Sequence, residues 1–395
     1  MGIFAIEHRD TCSQARAGML MTAHGQVPTP AFMPVGSVGT VKGIDPEELQ
    51  ACGFRMLLCN AYHLLLRPGH HLIAERGGLH RFIGWSGAIL TDSGGFQLVS
   101  LAGLSRVTDE GVWFKSHVDG ALYHLTPERC IEVQRALGSD IMMVLDDCPP
   151  YPSPLERVRE AVRRTTSWAQ RCRLTSRASH QALFGIVQGG TNHELRRQSA
   201  RELVAQEFDG YAVGGLSLGE DKSVMWAILE STLTELPDTH PRYLMGVGRP
   251  EDLVEGVWRG IDLFDCVMPT RHGRTGWLFT TTGRVLIKQA QYARDDAPID
   301  PLCRCPVCRK YSRAYLRHLF LAREMLGVRL NTLHNLWYYG MLMEEIRAAI
   351  TANRFAEFRA QFYAQRGGMM REETSITTGN GSPQPAGTME REERT

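Results

Sequence analysis

The chain has 395 residues, of which 43% are apolar and 22% are charged, and this composition excludes a disordered or collagen-like protein over most of its length. The 44 basic and 43 acidic residues leave a net charge of +1, so the overall charge does not indicate a nucleic-acid partner. No stretch approaches the roughly 18 consecutive apolar residues that a membrane-spanning helix needs. Charged residues at positions 7–10 replace the apolar segment of a signal peptide, which predicts a cytoplasmic protein without a membrane partner.

A repeating pattern runs through the chain up to residue 270: a short apolar segment ends in a glycine or polar residue, and a stretch of helical character follows. Nearly continuous apolar segments are typical of strands that are buried on both faces. Eight strands alternating with helices predict an α/β protein built on a (β/α)8 barrel, the TIM-barrel fold. The eight predicted strands are residues 31–36, 54–60, 88–93, 141–146, 183–188, 210–215, 242–247 and 263–268.

Two further segments predict β-hairpins outside the barrel pattern. Residues 112–125 alternate in character around Asp119-Gly120, a dipeptide that favours a tight hairpin turn. Residues 278–288 are similar and turn at Thr282-Gly283. Two helical stretches are expected after them, at residues 311–327 and 335–364, and the polar segment from residue 366 onward is expected to be disordered.

The helix expected after Ser153 is amphipathic and rich in arginine. Its apolar residues recur close to the helical period, and the remaining face carries Arg157, Arg159, Arg163, Arg164, Arg171 and Arg173. This basic face is either solvated or in contact with RNA, and the solvated alternative is favoured.

Polar side chains stand at the ends of several predicted strands, where a barrel enzyme has its active site. Asp92, Asp146, Gln188 and Asp265 are the main examples, and Asn60 ends the second predicted strand. Each of them alone can be a helix cap, but three aspartates and a glutamine at one mouth indicate chemistry. Two carboxylates can serve as nucleophile and acid/base at a glycosidic carbon, and a third carboxylate with an amide can bind the edge of a planar heterocycle.

Glycine pairs accompany these residues at 94–95, 189–190 and 214–215. They either let the backbone approach a ligand closely or serve turns that need positive φ. Phe96 either stacks on a base or belongs to the core. No lysine is placed for Schiff-base chemistry, and no Ser/His/Asp set is suggested.

Three cysteines lie within six residues, at Cys303, Cys305 and Cys308. In a cytoplasmic chain such a cluster favours metal binding over disulfides, and zinc prefers tetrahedral sulfur and nitrogen ligands. His334 is the best candidate for the fourth ligand, although His318 is also in range. Four protein ligands would make the site closed and therefore structural.

Arg271 and Arg274 follow the eighth predicted strand. They either grip phosphates beside the active site or lie in a solvated loop.

Four segments and the cysteine cluster together resemble the bacterial, queuosine-type tRNA-guanine transglycosylases, over residues 4 to 365. The matching segments are Asp92-Ser93-Gly94-Gly95-Phe96-Gln97, Gly185-Ile186-Val187-Gln188-Gly189-Gly190, Gly210-Tyr211-Ala212-Val213-Gly214-Gly215-Leu216 and Phe264-Asp265-Cys266-Val267-Met268-Pro269-Thr270-Arg271. Cys303, Cys305, Cys308 and His334 match the family's zinc ligands.

The resemblance implies an irregular (β/α)8 barrel with an inserted zinc-binding subdomain. Residues 1–277 would form the catalytic barrel, with the hairpin insertion near 112–125. Residues 278–365 would form the zinc-binding subdomain and the closing helices, and residues 366–395 a disordered tail. The resemblance also implies one structural Zn²⁺ per subunit, no organic cofactor, and a homodimer to which the zinc subdomain contributes.

The activity implied by the resemblance is that of a pentosyltransferase. Such enzymes exchange guanine at wobble position 34 of tRNAs with GUN anticodons (Asp, Asn, His and Tyr) for 7-aminomethyl-7-deazaguanine (preQ1), in queuosine biosynthesis. Asp265 would be the nucleophile on ribose C1′ and form a covalent enzyme–RNA intermediate, and Asp92 would transfer the proton.

The resemblance also assigns binding residues by position. The base would be bound by Asp92, Ser93, Gly94, Gly95, Phe96, Asp146, Gln188, Gly215, Leu216, Glu220 and Met245, with Phe96 and Met245 sandwiching the ring. Leu216 and Glu220 match the family's sensor of the aminomethyl group. The tRNA would be contacted by Gly246, Val247, Gly248, Arg249, Pro250, Glu251 and Asp252, and by Thr270, Arg271, His272, Gly273 and Arg274.

The sequence departs from the family at two places in this pocket. Asp147 stands where a glutamate is usual, and Ser217-Leu218 replaces a common Ala-Val pair. Members that use the bulkier base queuine have small residues here, whereas Val35, Cys148 and Leu218 are large enough to exclude it. The bacterial precursor is therefore the expected substrate.

Three alternatives remain at this stage. The archaeal relative that modifies the tRNA D-loop carries additional C-terminal RNA-binding domains. A non-catalytic RNA-binding subunit of a transglycosylase complex would lack catalytic aspartates, whereas Asp92 and Asp265 are present. A barrel N-glycoside hydrolase would leave an abasic site instead of exchanging the base.

Overall fold

The computed structural model describes residues 3–95 and 105–367. The chain begins with an antiparallel sheet of three strands, β1 (Phe4–Arg9), β2 (Arg16–Thr22) and β3 (Gly25–Thr29). Leu20 and Val27 bury their side chains on one face of this sheet. The sheet precedes the first strand of the predicted barrel and was not predicted.

A closed barrel of eight parallel strands follows, which confirms the predicted fold class. The strands pair in chain order, and the last strand pairs with the first. They are β4 (Ala31–Gly36), β5 (Met56–Asn60), β6 (Ala88–Asp92), β10 (Ile141–Met143), β11 (Ala182–Val187), β12 (Gly210–Val213), β13 (Arg242–Leu244) and β14 (Leu263–Cys266). The burial of nearly every residue in them explains why the sequence shows apolar runs without alternation.

Two smaller sheets interrupt the barrel pattern, as predicted. The strands β7 (Ser105–Val107), β8 (Val112–Lys115) and β9 (Leu122–Leu125) form an antiparallel sheet between β6 and β10, with Gly120 in the turn of its hairpin. The strands β15 (Trp277–Thr280) and β16 (Gly283–Leu286) form the second hairpin.

Helices connect the strands and cover the outside of the barrel. The first of them begins with the complete capping box that the sequence Asp45-Pro46-Glu47-Glu48 encodes. The described helices within the barrel are α1 (Pro46–Ala51), α2 (Ala61–Leu66), α3 (His70–Glu75), α4 (Leu79–Ile83), α5 (Pro127–Leu137), α6 (Leu155–Leu174), α7 (His193–Val204), α8 (Lys222–Leu233), α9 (Pro250–Trp258) and α10 (Met268–Arg274). None of the helices in the described part of the chain is long and apolar enough to cross a membrane.

The C-terminal helices differ from the prediction in their boundaries. A short 3-10 helix (Ala290–Arg294) precedes α11 (Pro306–Lys310), α12 (Arg313–Leu321), α13 (Met325–Thr351) and α14 (Phe355–Gln365). The helix predicted at 311–327 therefore ends at Leu321, and the segment predicted as one helix at 335–364 consists of parts of two. The helix α13 packs against α10 and β4 and so covers the seam where the barrel closes. The tail predicted to be disordered lies outside the described residues from position 368 onward.

Two buried aspartates lie at the amino-terminal end of the barrel, and both are tied to the N-terminal sheet. Asp262 precedes β14 and receives two hydrogen bonds from Arg16 of β2, at 2.9 and 2.6 Å. Asp140 precedes β10 and binds His24 of the β2–β3 turn at 2.8 Å and His80 of α4 at 3.1 Å. These contacts attach the three-stranded sheet to the amino-terminal end of the barrel.

Candidate active site and metal centre

Asp265 lies in β14, near the carboxyl end of the barrel. The hydroxyl of Tyr243, in the neighbouring strand β13, donates to Oδ1 of Asp265 at 2.6 Å, and the amide N–H of Gly246 donates to the same oxygen at 2.7 Å. Burial raises the pKa of the Asp265 carboxyl, and these two hydrogen bonds oppose the rise. The group is therefore an ionisable carboxylate held by neutral donors on one of its two oxygens.

Asp92 is the last residue of β6 and lies at the same end of the barrel. Its carboxylate accepts hydrogen bonds from the side-chain amide of Asn60, which ends β5, and from the N–H of Ala61 at 3.0 Å. Its charge contributes, after burial and Asp265, to the raised pKa of Tyr243. Asp92 and Asp265 are thus brought to one mouth, as the strand-end positions predict.

Asp146 joins them from the segment after β10. Gln188 donates through Nε2 to Asp146 Oδ2 at 2.8 Å, and the Ser93 hydroxyl donates to Oδ1 at 3.3 Å. Burial raises the pKa of Asp146 to about 6, with smaller opposing contributions from these hydrogen bonds. Gly95 is required here, because a Cβ at this position would lie 2.4 Å from Asp146 Oδ1.

Gln188 presents a buried acceptor that lacks a hydrogen-bond partner within residues 3–95 and 105–367. Its Oε1 is buried and receives no hydrogen bond from the described residues. A buried polar atom in this state is costly in a folded protein, and a ligand donor can satisfy it. Gly214 and Gly215 leave the space around this amide, because a Cβ at Gly215 would lie 2.5 Å from Oε1 and one at Gly214 would lie 2.8 Å from Nε2.

The other residues predicted to bind the base are dispersed over the same mouth. Leu216 is buried, and Met245 is half-buried and donates its N–H to the Val213 carbonyl at 3.2 Å. The Glu220 carboxylate accepts the N–H groups of Ser217 and of Leu218, the latter at 2.9 Å, and so closes a local turn. The predicted ring partner Phe96 lies outside the described residues.

Asp147 is bound to α6 and does not join this group. Its side chain is fully buried and forms ion pairs at 2.5 Å with both Arg157 and Arg164. Arg163 and Arg164 also pair with Asp109, and Arg171 pairs with Glu128. Arg157, Arg164 and Arg171 thus hold neighbouring segments of the protein, whereas Arg159, Arg163 and Arg173 are exposed.

The residues predicted to contact tRNA differ in their exposure. Gly246, Arg249 and Arg271 are exposed, and Glu251, His272 and Arg274 are half-buried. The buried residues are Val247, Gly248, Pro250, Asp252, Thr270 and Gly273. Asp252 forms an ion pair with Lys222 at 2.6 Å, and His272 stacks on Trp277. The buried members shape the two segments, and the exposed members are accessible to a large ligand.

The four predicted metal ligands come together in space. The donor atoms of Cys303, Cys305, Cys308 and His334 lie within 4.8 Å of one another. His334 Nδ1 lies 3.8, 3.5 and 3.4 Å from the three sulfurs in that order. A tetrahedral zinc ion, with bonds of about 2.3 Å to sulfur and about 2.0 Å to nitrogen, places such atoms about 3.5 Å apart. The cluster therefore fits a zinc-type ion, and His334 is the histidine that the structure selects over His318.

The Cys3His cluster is connected to the active-site mouth through α13. His334 Nε2 lies 2.8 Å from the Phe279 carbonyl, which fixes the tautomer that leaves Nδ1 available to a metal. The next residue, Asn335, donates to the carbonyls of Pro269 and Trp277 at 3.0 Å. One turn further on, the Tyr339 hydroxyl donates to the Gly248 carbonyl.

Tyr243 is a site residue that the sequence reasoning missed. A tyrosine inside an apolar strand is ordinarily a core residue, and nothing in the sequence distinguishes one whose hydroxyl reaches a neighbouring strand. The only available signal is its position, two residues before Met245 in a predicted strand.

Buried carboxylates at the mouth of a (β/α)8 barrel, together with a Cys3His cluster beside it, define a barrel enzyme with a metal-binding appendage. A model of the queuine tRNA-ribosyltransferase family matches residues 10–368. The chain belongs to this family and is a transferase.

Similar proteins of that name extend over almost the whole chain. The queuine tRNA-ribosyltransferase of Pelotomaculum thermopropionicum is 56% identical over 359 residues, which are 91% of this chain and 97% of the relative. That of Symbiobacterium thermophilum is 55% identical, over 90% of this chain and 89% of the relative. That of Geobacillus kaustophilus is 54% identical, over 89% and 94%.

Proposed function

We propose that this protein exchanges guanine at wobble position 34 of tRNAs with GUN anticodons for 7-aminomethyl-7-deazaguanine, as a step of queuosine biosynthesis. Family membership supports transfer to a tRNA ribose. The observation that carries the proposal is the Asp265 carboxylate, which is half-buried at the barrel mouth and held through Oδ1 by neutral donors.

The first displacement begins with attack on ribose C1′ by Oδ2 of Asp265. Tyr243 and Gly246 both donate to Oδ1, so they orient the carboxylate and direct its second oxygen to the carbon. The new C1′–O bond forms as the C1′–N9 bond breaks, and the bonding electrons leave with guanine. The result is an aspartyl ester of the RNA, and a second displacement at the same carbon gives net retention.

Asp92 transfers the proton in both half-reactions. Delivery of a proton to the departing guanine completes the first displacement. Removal of a proton from the incoming base then makes it the nucleophile that displaces the Asp265 ester. The side-chain amide of Asn60 and the backbone N–H of Ala61 orient the Asp92 carboxylate, and a carboxyl group held in place can both give and accept a proton.

The base edge is bound by Asp146, Gln188 and the Gly215 backbone. The guanine edge presents N–H donors, and the buried Gln188 Oε1 and the Asp146 carboxylate are acceptors. Phe96 and Met245 would sandwich the ring, with Ser93, Gly94 and Gly95 beside it, and Leu216 and Glu220 would sense the aminomethyl group. Val35, Cys148 and Leu218 fill the space that the larger base queuine would require.

The remaining predicted residues would bind the RNA and the metal ion. Arg249 and Arg271 are the exposed cations of the two predicted tRNA segments and suit phosphate contacts. Cys303, Cys305, Cys308 and His334 would hold one structural Zn²⁺, which would supply no chemistry at the ribose. We also propose the division into a barrel (1–277) and a zinc subdomain with closing helices (278–365). Homodimerisation through that subdomain and a cytoplasmic location remain predictions.

The experiment is incorporation of labelled guanine into an unmodified tRNA with a GUN anticodon. The matched controls are the same tRNA with position 34 changed from guanine and the variant Asp265→Ala. We expect incorporation with the first tRNA alone, and a denaturation-resistant enzyme–tRNA adduct that the variant does not form.

Failure of exchange by a folded, metal-replete protein would contradict the proposal. Abasic sites in the tRNA would then identify an N-glycoside hydrolase. Binding of intact tRNA without exchange or cleavage would identify an RNA-binding subunit. Incorporation of queuine at low micromolar concentration would overturn the assignment of the precursor base.

A further inference from the structure

Arg196, in the second turn of α7, is a fully buried cation to which no function has been assigned. Its guanidinium donates to four backbone carbonyls at the carboxyl end of the barrel. Nε binds the Gly190 carbonyl at 2.9 Å, and Nη1 binds those of Val187 at 3.0 Å and Gly214 at 2.7 Å. Nη2 binds the Gly215 carbonyl at 3.2 Å.

The charge of this side chain has an unusual environment. In the part of the chain that the structure describes, every hydrogen-bond acceptor of the guanidinium is a carbonyl and none is a carboxylate. Burial lowers its pKa to about 10, and Cys148 and Glu220 oppose this shift electrostatically. The group is therefore still cationic at neutral pH, although an unpaired buried charge is unfavourable. A neutral side chain would satisfy buried carbonyls at lower cost.

The four carbonyls belong to the two loops that border the base-binding amide. Val187 and Gly190 bracket Gln188 after β11, and Gly214 and Gly215 follow β12. The N–H and C=O of a trans peptide point in opposite directions. Fixing the carbonyls of Gly214 and Gly215 toward Arg196 therefore turns the N–H groups of Gly215 and Leu216 away from it.

The two loops are also in direct contact with each other. The Gly214 N–H donates to the Val187 carbonyl at 3.1 Å, the same oxygen that Arg196 binds. The Gly215 Cα lies so close to Gln188 that an added Cβ would be 2.5 Å from Oε1. A small rotation of either loop would therefore displace the Gln188 amide relative to the Gly215 backbone.

We propose that Arg196 is a positioning residue for base recognition, which fixes the Gln188 loop and the Gly214–Leu216 peptides as one rigid unit facing the purine edge. The inference rests on the proposed function, because it takes Gln188 and Gly215 as the groups that bind the base. It assigns the selectivity of the pocket in part to a side chain that never touches the substrate.

The test uses Arg196→Lys, which keeps the charge but cannot reach four carbonyls with a planar fork. Arg196→Met removes both the charge and the fork. The matched control is Arg16→Lys, because Arg16 is equally buried and multiply hydrogen-bonded but lies at the opposite end of the barrel. For each protein we would measure the melting temperature and, in guanine exchange, kcat and the separate KM values for guanine and for tRNA.

We expect Arg196→Lys to raise the KM for guanine at least about tenfold and Arg196→Met to raise it further, because hydrogen bonds to charged groups are strong. The KM for tRNA should change by less than about twofold, since tRNA binding is dominated by backbone phosphate contacts. Arg16→Lys should lower the melting temperature without changing the KM for guanine.

A KM for guanine in Arg196→Lys equal to that of the wild type would overturn the inference, as would an equal rise in Arg16→Lys. Gln188→Ala separates this result from failure of the proposed function. If the wild type exchanges guanine and Gln188→Ala raises its KM while Arg196→Lys does not, the inference alone is wrong. If the wild type does not exchange guanine, the proposed function is wrong and the inference falls with it.

Discussion

Two buried aspartates at the amino-terminal end of the barrel and two aspartates of the candidate site at the carboxyl end have different kinds of hydrogen-bond partner. At the amino-terminal end, Asp262 is bound by the guanidinium of Arg16 and Asp140 by two imidazoles. At the carboxyl end, Asp265 and Asp146 are bound by a phenol, amides and a hydroxyl. Basic groups bind the first pair, whereas the hydrogen bonds to the second pair within the described residues come from neutral donors.

The pKa directions agree with this contrast only in part. Burial raises the pKa of Asp140, but the hydrogen bonds from His80 and His24 and from the Ile89 amide outweigh it, and the net pKa is lowered. Burial raises the pKa of Asp146 to about 6 and also raises that of Asp265. Complete burial raises the pKa of Asp262 as well. The nature of the partner, more than the pKa, therefore distinguishes the two amino-terminal aspartates from the two of the proposed active site.

The largest expected effect is on activity, at the carboxyl end. Asp265→Asn should reduce guanine exchange by about 10⁴-fold or more, because the attacking oxygen is lost. Its melting temperature should stay close to that of the wild type, since no buried cation loses its partner. Exchange assays and thermal unfolding of the same preparation check this, and a large loss of stability would contradict the contrast between the two ends.

The reverse result is expected at the amino-terminal end. Asp262→Asn should cost about 3 to 5 kcal/mol of unfolding free energy, because it leaves Arg16 buried without its bidentate partner. Activity per folded molecule should be retained. Denaturant unfolding measures the loss, and Asp238→Asn, at an exposed partner of the same arginine, is the control that should cost less than about 1 kcal/mol.

Removal of one neutral donor should have an intermediate effect. Tyr243→Phe deletes the hydroxyl that binds Asp265 Oδ1 and should lower kcat by about 10- to 100-fold. Because this hydrogen bond lowers the pKa of Asp265, its loss should move the acid limb of the pH–rate profile to higher pH. An unchanged profile in Tyr243→Phe would show that the hydroxyl does not act on the nucleophile.

Asp146 should give the guanine KM a pH dependence. Its pKa of about 6 means that the carboxyl is protonated below that pH and then no longer a full acceptor for the donors of the base. The KM for guanine should therefore fall as the pH rises toward 7, by up to about tenfold per pH unit below the pKa. Steady-state kinetics between pH 5 and pH 8 test this, and Asp146→Asn should abolish the dependence.

The smallest expected effect is at the edge of the amino-terminal end. His24→Gln should cost about 1 kcal/mol or less, because the His24 side chain is 35% exposed and Asp140 keeps His80 and the Ile89 amide. Thermal unfolding measures it. A loss as large as that of Asp262→Asn would mean that the partly exposed His24 stabilises Asp140 as much as the buried Arg16 stabilises Asp262.

The eight barrel strands could be predicted because burial on both faces makes each of them an uninterrupted apolar run. The N-terminal sheet could not, because β1 is largely exposed and lacks a clear pattern. The predicted boundaries of the C-terminal helices were wrong because of the backbone conformation of two residues. Arg323 and Asn353, at the true breaks, adopt left-handed φ values of 58° and 54° that a sequence reading expects of glycine. Gly327, predicted as a helix end, lies inside α13, where a Cβ would be 2.8 Å from Leu319 Cβ.

The residues of the candidate site also fall into two kinds: some are recognisable from their position in the sequence, and others only from their contacts in the folded protein. Asp92, Asp146, Gln188 and Asp265 were found because each follows or ends an apolar run, and the fold confirms that they share one mouth. Tyr243 and Arg196 were missed because their importance lies in which atoms they reach across the fold. Such contacts cannot be predicted from residue type and spacing in the sequence.

The helix α13 links the Cys3His cluster to the segments on both sides of Asp265. Three of its residues within two turns connect the cluster, the segment after β14 and the segment after β13. The cluster and the loops beside Asp265 are therefore mechanically coupled through one helix.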